Sequence, residues 1–336
     1  MKNIVVALSG GVDSSYTAYT LKNLGFNVSG VYMKLHNREN YHDKNIENVK
    51  RVADFLGIEA DVLDFSDKFN EAVFTPFINT YKSGKTPNPC ALCNRYIKLG
   101  ALLDYAKSKN AMLASGHYAQ IENNMLKKAL DLSKDQTYFL ANVDKQSLNS
   151  VIFPLGNKYK KDIKEQALKI PQLKAISEQK ESSEICFVST TYTDILKDYV
   201  KVNNPGVVKD VDGKIVGKHD GYMHYTIGKR RGFSVNGAHE AHFVLKIDAE
   251  KNELIVGKKQ DLEVSEFKLE NINSFVDFND SIECEVKIRY NTTAVKCRLY
   301  KDKSVKLEQK VFALAAGQLA VFYQGDFVVA SGFIKE

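Results

Sequence analysis

The stretch SGGVDSS, residues 9–15, lies between a short apolar run and a helical stretch. Its two glycines let backbone N–H groups turn toward one anion, because a side chain at either position would block the approach. The helix that follows adds partial positive charge at its start, and the hydroxyls of Ser14 and Ser15 add donors. Asp13 is of the right type to hold Mg²⁺ against phosphates. The stretch lacks the GK[ST] ending of a Walker loop and the GxGxxG of a dinucleotide fold. It therefore predicts a phosphate-binding loop of another class.

Strands and helices alternate around this loop along about the first 115 residues. Apolar runs predict strands over residues 3–8, 27–33, 59–65 and 111–115. Helical periodicity predicts the helices between and after them, over residues 14–24, 46–56, 69–81 and 96–107. Such alternation is typical of an α/β fold in which helices cover both faces of a parallel sheet.

The pattern changes after about residue 200, where short alternating segments replace helical periodicity. These segments cover residues 241–247, 253–256, 283–288, 294–299, 304–307, 320–323 and 327–332. The turn dipeptides Asp212-Gly213 and Asn236-Gly237 punctuate this half of the chain. We expect a small central module followed by a β-barrel from about residue 262.

The bulk composition sets wide limits. A chain of 336 residues is long for one compact domain and suggests two or three. The net charge of +6 permits a polyanionic partner without requiring one. No apolar run reaches the ~18 residues of a membrane span, and the first residues, MKNIVVALSGG, lack the cleavage pattern of a secretion signal. We expect a cytosolic (cytoplasmic) protein with no membrane partner and, by default, a monomer.

Five cysteines add a second signal. An odd number in a cytosolic chain argues against a structural disulfide framework and leaves metal binding, reactive thiols or buried small residues. Cys284 and Cys297 fall in alternating strand patterns, which favours burial. Cys90 and Cys93 are flanked by Pro, Asn and Arg, which are poor core material. We expect Cys93 near a helix start, where the helix dipole lowers the pKa of a thiol.

The loop resembles the PP-loop of the N-type ATP pyrophosphatases, an adenine nucleotide alpha hydrolase-like fold whose members split ATP into AMP and pyrophosphate. Further phrases occur in the order found in bacterial tRNA-specific 2-thiouridylases, along essentially the whole chain. They are TPNPCALCNRYIKLG, ASGHYA, KDQTYFL, SSEICFV and HYTIGKRRGF.

The resemblance implies a PP-loop domain over residues 1–197, a central linker module over 198–261 and a tRNA-binding C-terminal β-barrel over 262–336. It implies adenylation of the 2-carbonyl oxygen of the wobble uridine, followed by sulfur transfer from a cysteine persulfide. The products are 2-thiouridine, AMP and pyrophosphate. Implied cofactors are ATP and Mg²⁺. Implied partners are the tRNAs for Lys, Glu and Gln, and a cysteine desulfurase or a sulfur-relay protein.

The resemblance also assigns residues. It makes Cys93 the nucleophile and Cys186 the persulfide carrier, able to close a Cys93–Cys186 disulfide after turnover, with Asp13 in the catalytic set. Nucleotide contacts fall to Ala7, Leu8, Ser9, Gly10, Gly11, Val12, Asp13, Ser14, Met33 and Gly116. RNA contacts fall to Asn88, Pro89, Cys90, His117, Lys134, Asp135, Gln136, Arg289, Tyr290 and Gln318.

Cys90 departs from the family pattern, in which many members have Asp at this position. With Cys93 and Cys186 it makes three thiols, which leaves open an iron–sulfur cluster or zinc, a spare resolving thiol, or a neutral replacement. Two other functions stay open as well. One is a PP-loop synthetase acting on a small molecule, and the other is a non-catalytic RNA-binding sulfur carrier.

Overall fold

The computed structural model describes residues 2–179, 185–188, 191–235 and 240–335. Residues 182–184 of the SSEICFV phrase and the predicted Asn236-Gly237 turn therefore lie outside the described residues. Within the described ranges, no helix combines the length and the apolar character that a bilayer crossing requires.

The first part of the chain alternates strands and helices, as the periodicity predicts. Its strands are β1 (Asn3–Ala7), β2 (Asn27–Lys34), β3 (Ala60–Asp64), β4 (Met112–Ala114), β5 (Gln120–Glu122), β6 (Met125–Lys127) and β7 (Val151–Ile152). Its helices are α1 (Val12–Asn23), α2 (Asp43–Leu56), α3 (Ser66–Phe69), α4 (Thr75–Lys82), α5 (Pro89–Cys93), α6 (Leu102–Ser108), α7 (Thr137–Leu140), α8 (Lys160–Leu168), α9 (Pro171–Ser177) and α10 (Tyr192–Lys197).

Five of these strands form the predicted parallel sheet, in the order β3-β2-β1-β4-β7. The strand order reverses direction at β1, because the chain builds outward first through β2 and β3 and then through β4 and β7. Ligands of such sheets bind where the order reverses, beyond the carboxyl ends of the strands. The SGGVDSS loop follows β1, so the topology places it at this crevice beside the loop that follows β4.

Two predicted helices are interrupted. The helix expected over residues 69–81 is α3, a π-helical segment Asn70–Phe74, and then α4. The helix expected over residues 96–107 begins earlier than predicted and runs through α5, a π-helical segment Asn94–Ala101, and then α6. Apolar periodicity does not separate a π-turn from an α-turn over so few residues, and π-segments are frequent at functional sites.

The central part of the chain forms a four-stranded sheet of its own, in the order β10-β11-β8-β9. Its strands are β8 (Gly206–Lys209), β9 (Ile215–His219), β10 (Phe243–Asp248) and β11 (Glu253–Gly257). One core packs this sheet against α4, through side chains such as Val244 and Phe77. The module is thus joined to the PP-loop part through an apolar interface.

The last part of the chain forms an antiparallel barrel. Its strands are β12 (Glu263–Lys268), β13 (Asn273–Ser274), β14 (Ser281–Lys287), β15 (Val295–Tyr300), β16 (Ser304–Phe312), β17 (Leu319–Gln324) and β18 (Phe327–Phe333). The order β12-β16-β15-β14-β17-β18 is closed by a bridge between Leu269 and Ile334. The hairpin β5–β6 extends this sheet by pairing β6 with β18, an interaction that the sequence did not predict.

Candidate active site

The SGGVDSS loop is held open by its own polar side chains. Ser9 N–H donates to Ser14 Oγ at 3.1 Å, and the Ser14 hydroxyl donates to the Gly11 carbonyl at 3.0 Å. Gly10 has φ +79°, and a Cβ there would lie 2.7 Å from the backbone oxygen of Asn45, so this position requires glycine. The first N–H groups of α1 lack partners within the helix, as at every helix start. They make the loop suited to an anion.

Gly116 brings the loop after β4 against the phosphate loop. A Cβ on Gly116 would lie 2.9 Å from both Asp13 C and Ser14 N. The two loops therefore share one crevice at the point where the strand order reverses. Met33, at the end of the neighbouring strand β2, is half-buried and packs against two cores. These placements bring the predicted nucleotide residues together.

Asp13 is engaged by two other elements. Lys160 Nζ donates to both carboxylate oxygens of Asp13, at 2.7 and 2.8 Å, and Tyr118 OH donates to Oδ1 at 2.9 Å. A carboxylate is a ligand type that Mg²⁺ takes, so Asp13 fits the role of holding the ion. In the structure described here, its charge is balanced by Lys160.

His117 links this crevice to the cysteines. Lys98 Nζ lies 3.4 Å from His117 Nε2, and His117 Nδ1 lies 2.7 Å from Ser115 Oγ. Because an ammonium only donates, Nε2 accepts and the ring proton sits on Nδ1. Burial first, and the nearby Lys98 charge second, hold the pKa of His117 well below its ordinary value. His117 is therefore a neutral imidazole in this site.

The helix α5 carries Cys90 and Cys93. Asn88 caps it, because its Oδ1 accepts from the Ala91 N–H at 3.2 Å. Cys93 is the last residue of α5, and α5 opens the continuous helical run from Pro89 to Ser108, so Cys93 lies near the start of that run, as expected. Burial raises the pKa of Cys93 to about 12 and that of Cys90 to about 11. The prediction that the helix dipole lowers the pKa of Cys93 was wrong, because desolvation outweighs it.

Lys98 is a cation that opposes the effect of burial on the pKa of the thiols. Its charge lowers the pKa of Cys90, Cys93 and Cys186, although burial keeps all three raised. Each of Cys90 and Cys93 also has its pKa raised by the Cys186 thiol, so the three sulfurs lie within electrostatic range of one another. The sequence places these thiols up to 96 residues apart, and the fold brings them to one cation.

The segment that carries Cys186 is tied to the loop between β2 and α2. Tyr41 OH donates to the Cys186 carbonyl, and Arg38 Nη1 donates to the Phe187 carbonyl at 3.0 Å. Phe187 is buried among Phe69, Phe74 and Phe77. Cys186 is exposed as a residue, although the protein atoms around its sulfur desolvate the thiol enough to raise its pKa, and all five cysteines are free thiols. The carrier candidate thus sits at the surface on an anchored segment, while Cys93 is buried in the same core as Phe187.

Metal binding was left open by the sequence. Across residues 2–179, 185–188, 191–235 and 240–335, no group of three or more His, Cys, Asp or Glu side chains is arranged to hold a metal ion. The described thiols therefore do not fit a cluster site as they stand.

Two of the KDQ residues, which the resemblance assigns to RNA contact, make hydrogen bonds inside the protein. Asp135 is buried, and its oxygens accept from the Ala129 N–H at 2.9 Å and the Thr137 hydroxyl at 2.6 Å. Gln136 Oε1 accepts from the Tyr118 N–H at 3.0 Å. Lys134 is half-buried. Asp135 and Gln136 thus hold the loop that positions Tyr118, which itself bonds to Asp13.

The remaining predicted RNA contacts lie at one junction. Gln318 Nε2 donates to the carbonyls of Pro87 at 2.8 Å and Thr86 at 3.2 Å. Arg289 Nη2 donates to the carbonyls of Ile227 at 3.2 Å and Ala313 at 2.6 Å. Tyr290 stacks on Phe139 with ring centroids 4.6 Å apart. These side chains join the barrel to the other two parts of the chain.

Sequence reasoning missed Lys98, Lys160 and Tyr118. Lys98 and Tyr118 stand inside quoted phrases, TPNPCALCNRYIKLG and ASGHYA, so their positions carried a signal. Lys160 stands in a lysine-rich run, KYKKDIK, that is typical of an exposed helix start. Its burial at 7% exposure depends on the contact with Asp13, which no local pattern reports.

Three segments of the chain match models of known protein families. Residues 2–190 match a family model described as the tRNA methyl transferase HUP domain. Residues 193–258 match its PRC-barrel domain, and residues 264–334 match an aminomethyltransferase beta-barrel domain.

Curated relatives align along nearly the whole chain. A tRNA-specific 2-thiouridylase MnmA from Campylobacter lari (strain RM2100) is 58% identical over 99% of both chains. The protein of that name from Campylobacter jejuni (strain RM1221) is 57% identical over 99% of both. The one from Campylobacter hominis is 49% identical over 98% of this chain and 99% of that relative. This chain belongs to the family of tRNA-specific 2-thiouridylases.

Proposed function

We infer that this chain is a tRNA-uridine 2-sulfurtransferase, which uses ATP and Mg²⁺ to convert a uridine of tRNA to 2-thiouridine. One observation carries the residue-level proposal. Cys93, Cys186 and Lys98 lie together, and Lys98 contacts His117, which follows the glycine that packs on the phosphate loop. Sulfur chemistry and nucleotide chemistry therefore share one crevice.

The first step activates the base. The 2-carbonyl oxygen of the uracil attacks the α-phosphorus of ATP, and pyrophosphate leaves. The loop residues hold the phosphates through the N–H groups at the start of α1 and the serine hydroxyls. Asp13 would hold Mg²⁺, which would offset charge on the phosphate tail. The carbonyl oxygen becomes part of AMP and thereby a good leaving group.

The second step transfers sulfur. The terminal sulfur of a Cys186 persulfide attacks C2 of the uracil, and AMP leaves. The Cys93 thiolate then attacks the Cys186 sulfur, which releases 2-thiouridine and forms the Cys93–Cys186 disulfide. Oxidation of Cys93 and Cys186 to the disulfide supplies the two electrons that cleave the persulfide bond. An external reductant must then reduce the disulfide before the next turnover. The buried position of Cys93 keeps it from competing reactions until the carrier reaches it.

Cys90 enters this proposal as a spare thiol rather than a cluster ligand. Its pKa, raised by burial to about 11, keeps it neutral, which suits a position facing an uncharged base. No step requires iron. Anaerobically purified protein should be colourless and iron-free. Iron–sulfur absorbance that Cys90→Ala abolishes would instead show that Cys90 is a cluster ligand.

The chain divides by role at residues 197/198 and 261/262 in this proposal. The PP-loop domain does the chemistry, while the central module and the barrel hold the anticodon arm. Arg230 and Arg231 are exposed and suit contacts with RNA phosphates. The wobble uridine leaves its stack to reach the thiols. We propose the tRNAs for Lys, Glu and Gln as substrates, a cysteine desulfurase or relay protein as sulfur donor, and a monomeric, cytoplasmic enzyme.

The test combines cells and purified protein. Cells that lack this protein should lose 2-thiouridine from tRNA nucleosides, as measured by mass spectrometry, and Cys186→Ser should not restore it. With purified Cys186→Ser, ATP and tRNA, adenylated tRNA should form without thiolation. Cys284→Ser is the matched control, because that thiol is buried in the barrel, and it should keep activity. Unchanged 2-thiouridine in the cells would refute the function, and an active Cys186→Ser enzyme would refute the sulfur route.

A further inference from the structure

Lys160 reaches the nucleotide loop from a distant helix. It is the first residue of α8, and its side chain is only 8% exposed. Its ammonium bonds to both oxygens of Asp13 at 2.7 and 2.8 Å and lies 5.8 Å from the centre of the Tyr118 ring. Burying an ammonium is unfavourable unless it is paired. The pairing with Asp13 therefore allows the fold to keep this cation buried beside the loop.

We propose that Lys160 is a phosphate-binding residue, which contacts the pyrophosphate end of ATP. This inference rests on the proposed function, which assigns the loop to ATP. Residues 7–15 contain no Lys or Arg, so a positively charged side chain that contacts the phosphate tail has to come from another element. A Walker loop carries such a lysine within its own sequence. Here α8 supplies it.

The position of Asp13 makes the assignment specific. Asp13 is the second residue of α1, and its own N–H is one of the groups that face an anion at the helix start. A cation bonded to this side chain is consequently at the edge of the phosphate site. The bonds to Asp13 hold the long lysine side chain in place before the nucleotide arrives, which reduces the entropy lost on binding.

The neighbouring lysine provides a matched control. Lys161 is 84% exposed and pairs with Glu165 on the surface of α8, at 3.7 Å. Lys160→Met and Lys161→Met remove the same charge from adjacent residues. Only the first removes it from the loop.

The experiment measures the affinity of the full chain for ATP and for adenosine by calorimetry, without tRNA. Lys160→Met should weaken ATP binding by about 10- to 100-fold, the range for a hydrogen bond to a charged group. Adenosine affinity should be unchanged, Lys161→Met should stay within about two-fold, and Lys160→Arg should keep most of the ATP affinity. A lysine with only a structural role would not separate ATP from adenosine.

Equal ATP affinity in folded Lys160→Met would overturn the proposal. If Lys160→Met does not fold, the double variant Asp13→Asn/Lys160→Met removes both buried charges, and ATP affinity equal to that of the unsubstituted protein would overturn the proposal in the same way. If the unsubstituted protein itself does not bind ATP, the proposed function fails together with this inference. The two failures are thus distinguishable.

Discussion

At the residue scale, the described part of the site combines desolvated thiols with the Lys98 cation. Burial disfavours a thiolate, and it raises the pKa of Cys93 to about 12. A thiol attacks only as its thiolate. Lys98 is the residue that acts against burial at Cys90, Cys93 and Cys186 alike. We therefore expect thiol reactivity in this enzyme to depend on Lys98.

The first prediction concerns Lys98→Met. Removal of the positive charge should raise the apparent pKa of Cys93 and Cys186 further, because a nearby cation favours the charged form. The thiolate fraction at any pH below the pKa then falls, by about ten-fold for each unit that the pKa rises. Alkylation rates measured by peptide mass spectrometry at several pH values below the pKa report this loss of thiolate.

Two further variants serve as controls for the Lys98→Met measurement. Lys98→Arg keeps the charge and should keep the pH profile near that of the unsubstituted protein. Lys107→Met removes an exposed charge from α6 and should leave both thiols unaffected. An unchanged profile in folded Lys98→Met would show that another group stabilises the thiolates.

At the element scale, a five-residue helix and the π-helical segment after it arrange the site. A π-turn closes between residues five apart, and the Leu102 N–H donates to the Ile97 carbonyl in this way. Cys93 and Lys98 are also five residues apart, at the start of the same segment. The wider turn therefore helps to bring the cation to the thiol's side of the helix.

The second prediction tests the cap of α5. Asn88→Ala removes the bond to the Ala91 N–H, which should cost about 1 kcal/mol of local helix stability. Labelling of buried Cys93 by a bulky maleimide should then be about five-fold faster, since 1 kcal/mol corresponds to about that factor. Asn88→Asp keeps a capping oxygen and should restore slow labelling. Equal rates in Asn88→Ala and the unsubstituted protein would mean that tertiary packing alone holds the helix.

At the scale of the whole molecule, the segment just before α5, residues 86–88, is held by all three parts of the chain. Thr86 Oγ1 lies 2.7 Å from Thr226 Oγ1 of the central module. The Thr86 N–H donates to the Ala316 carbonyl in the barrel at 2.9 Å, and Gln318 bonds to the Pro87 carbonyl. A displacement of the barrel or of the module would consequently act on the segment that leads into α5 and Cys93.

The third prediction concerns Arg289, which joins the module to the barrel. Arg289→Ala leaves the Ile227 and Ala313 carbonyls without this donor and should lower the free energy of unfolding by about 1.5–3 kcal/mol. Denaturant titration measures this loss. A residue that only contacts an RNA phosphate would instead reduce the salt dependence of tRNA binding by about one unit and leave unfolding unchanged. The two measurements together decide between these roles.

Much of this protein could be predicted from its sequence, for reasons that are local. The phosphate loop depends on glycines and a helix start within seven residues, and the parallel sheet on short apolar runs. Flanking residues that do not suit a core set Cys90 and Cys93 apart in the sequence, but the fold nevertheless buries Cys93 together with Asn88 and Asn94. The family phrases added the expected reaction, because each phrase is contiguous.

Only the tertiary structure decided how those parts act on one another. The raised pKa of Cys93, the pairing of Lys160 with Asp13, and the internal bonds of Asp135 and Arg289 all arise between residues far apart in the chain. Burial and charge pairing depend on which side chains the fold brings within a few ångströms, and a local pattern contains no such distance. The sequence by itself therefore determined the chemistry available to this protein, while the packing of three modules around one loop decided the charge and accessibility of its reacting groups.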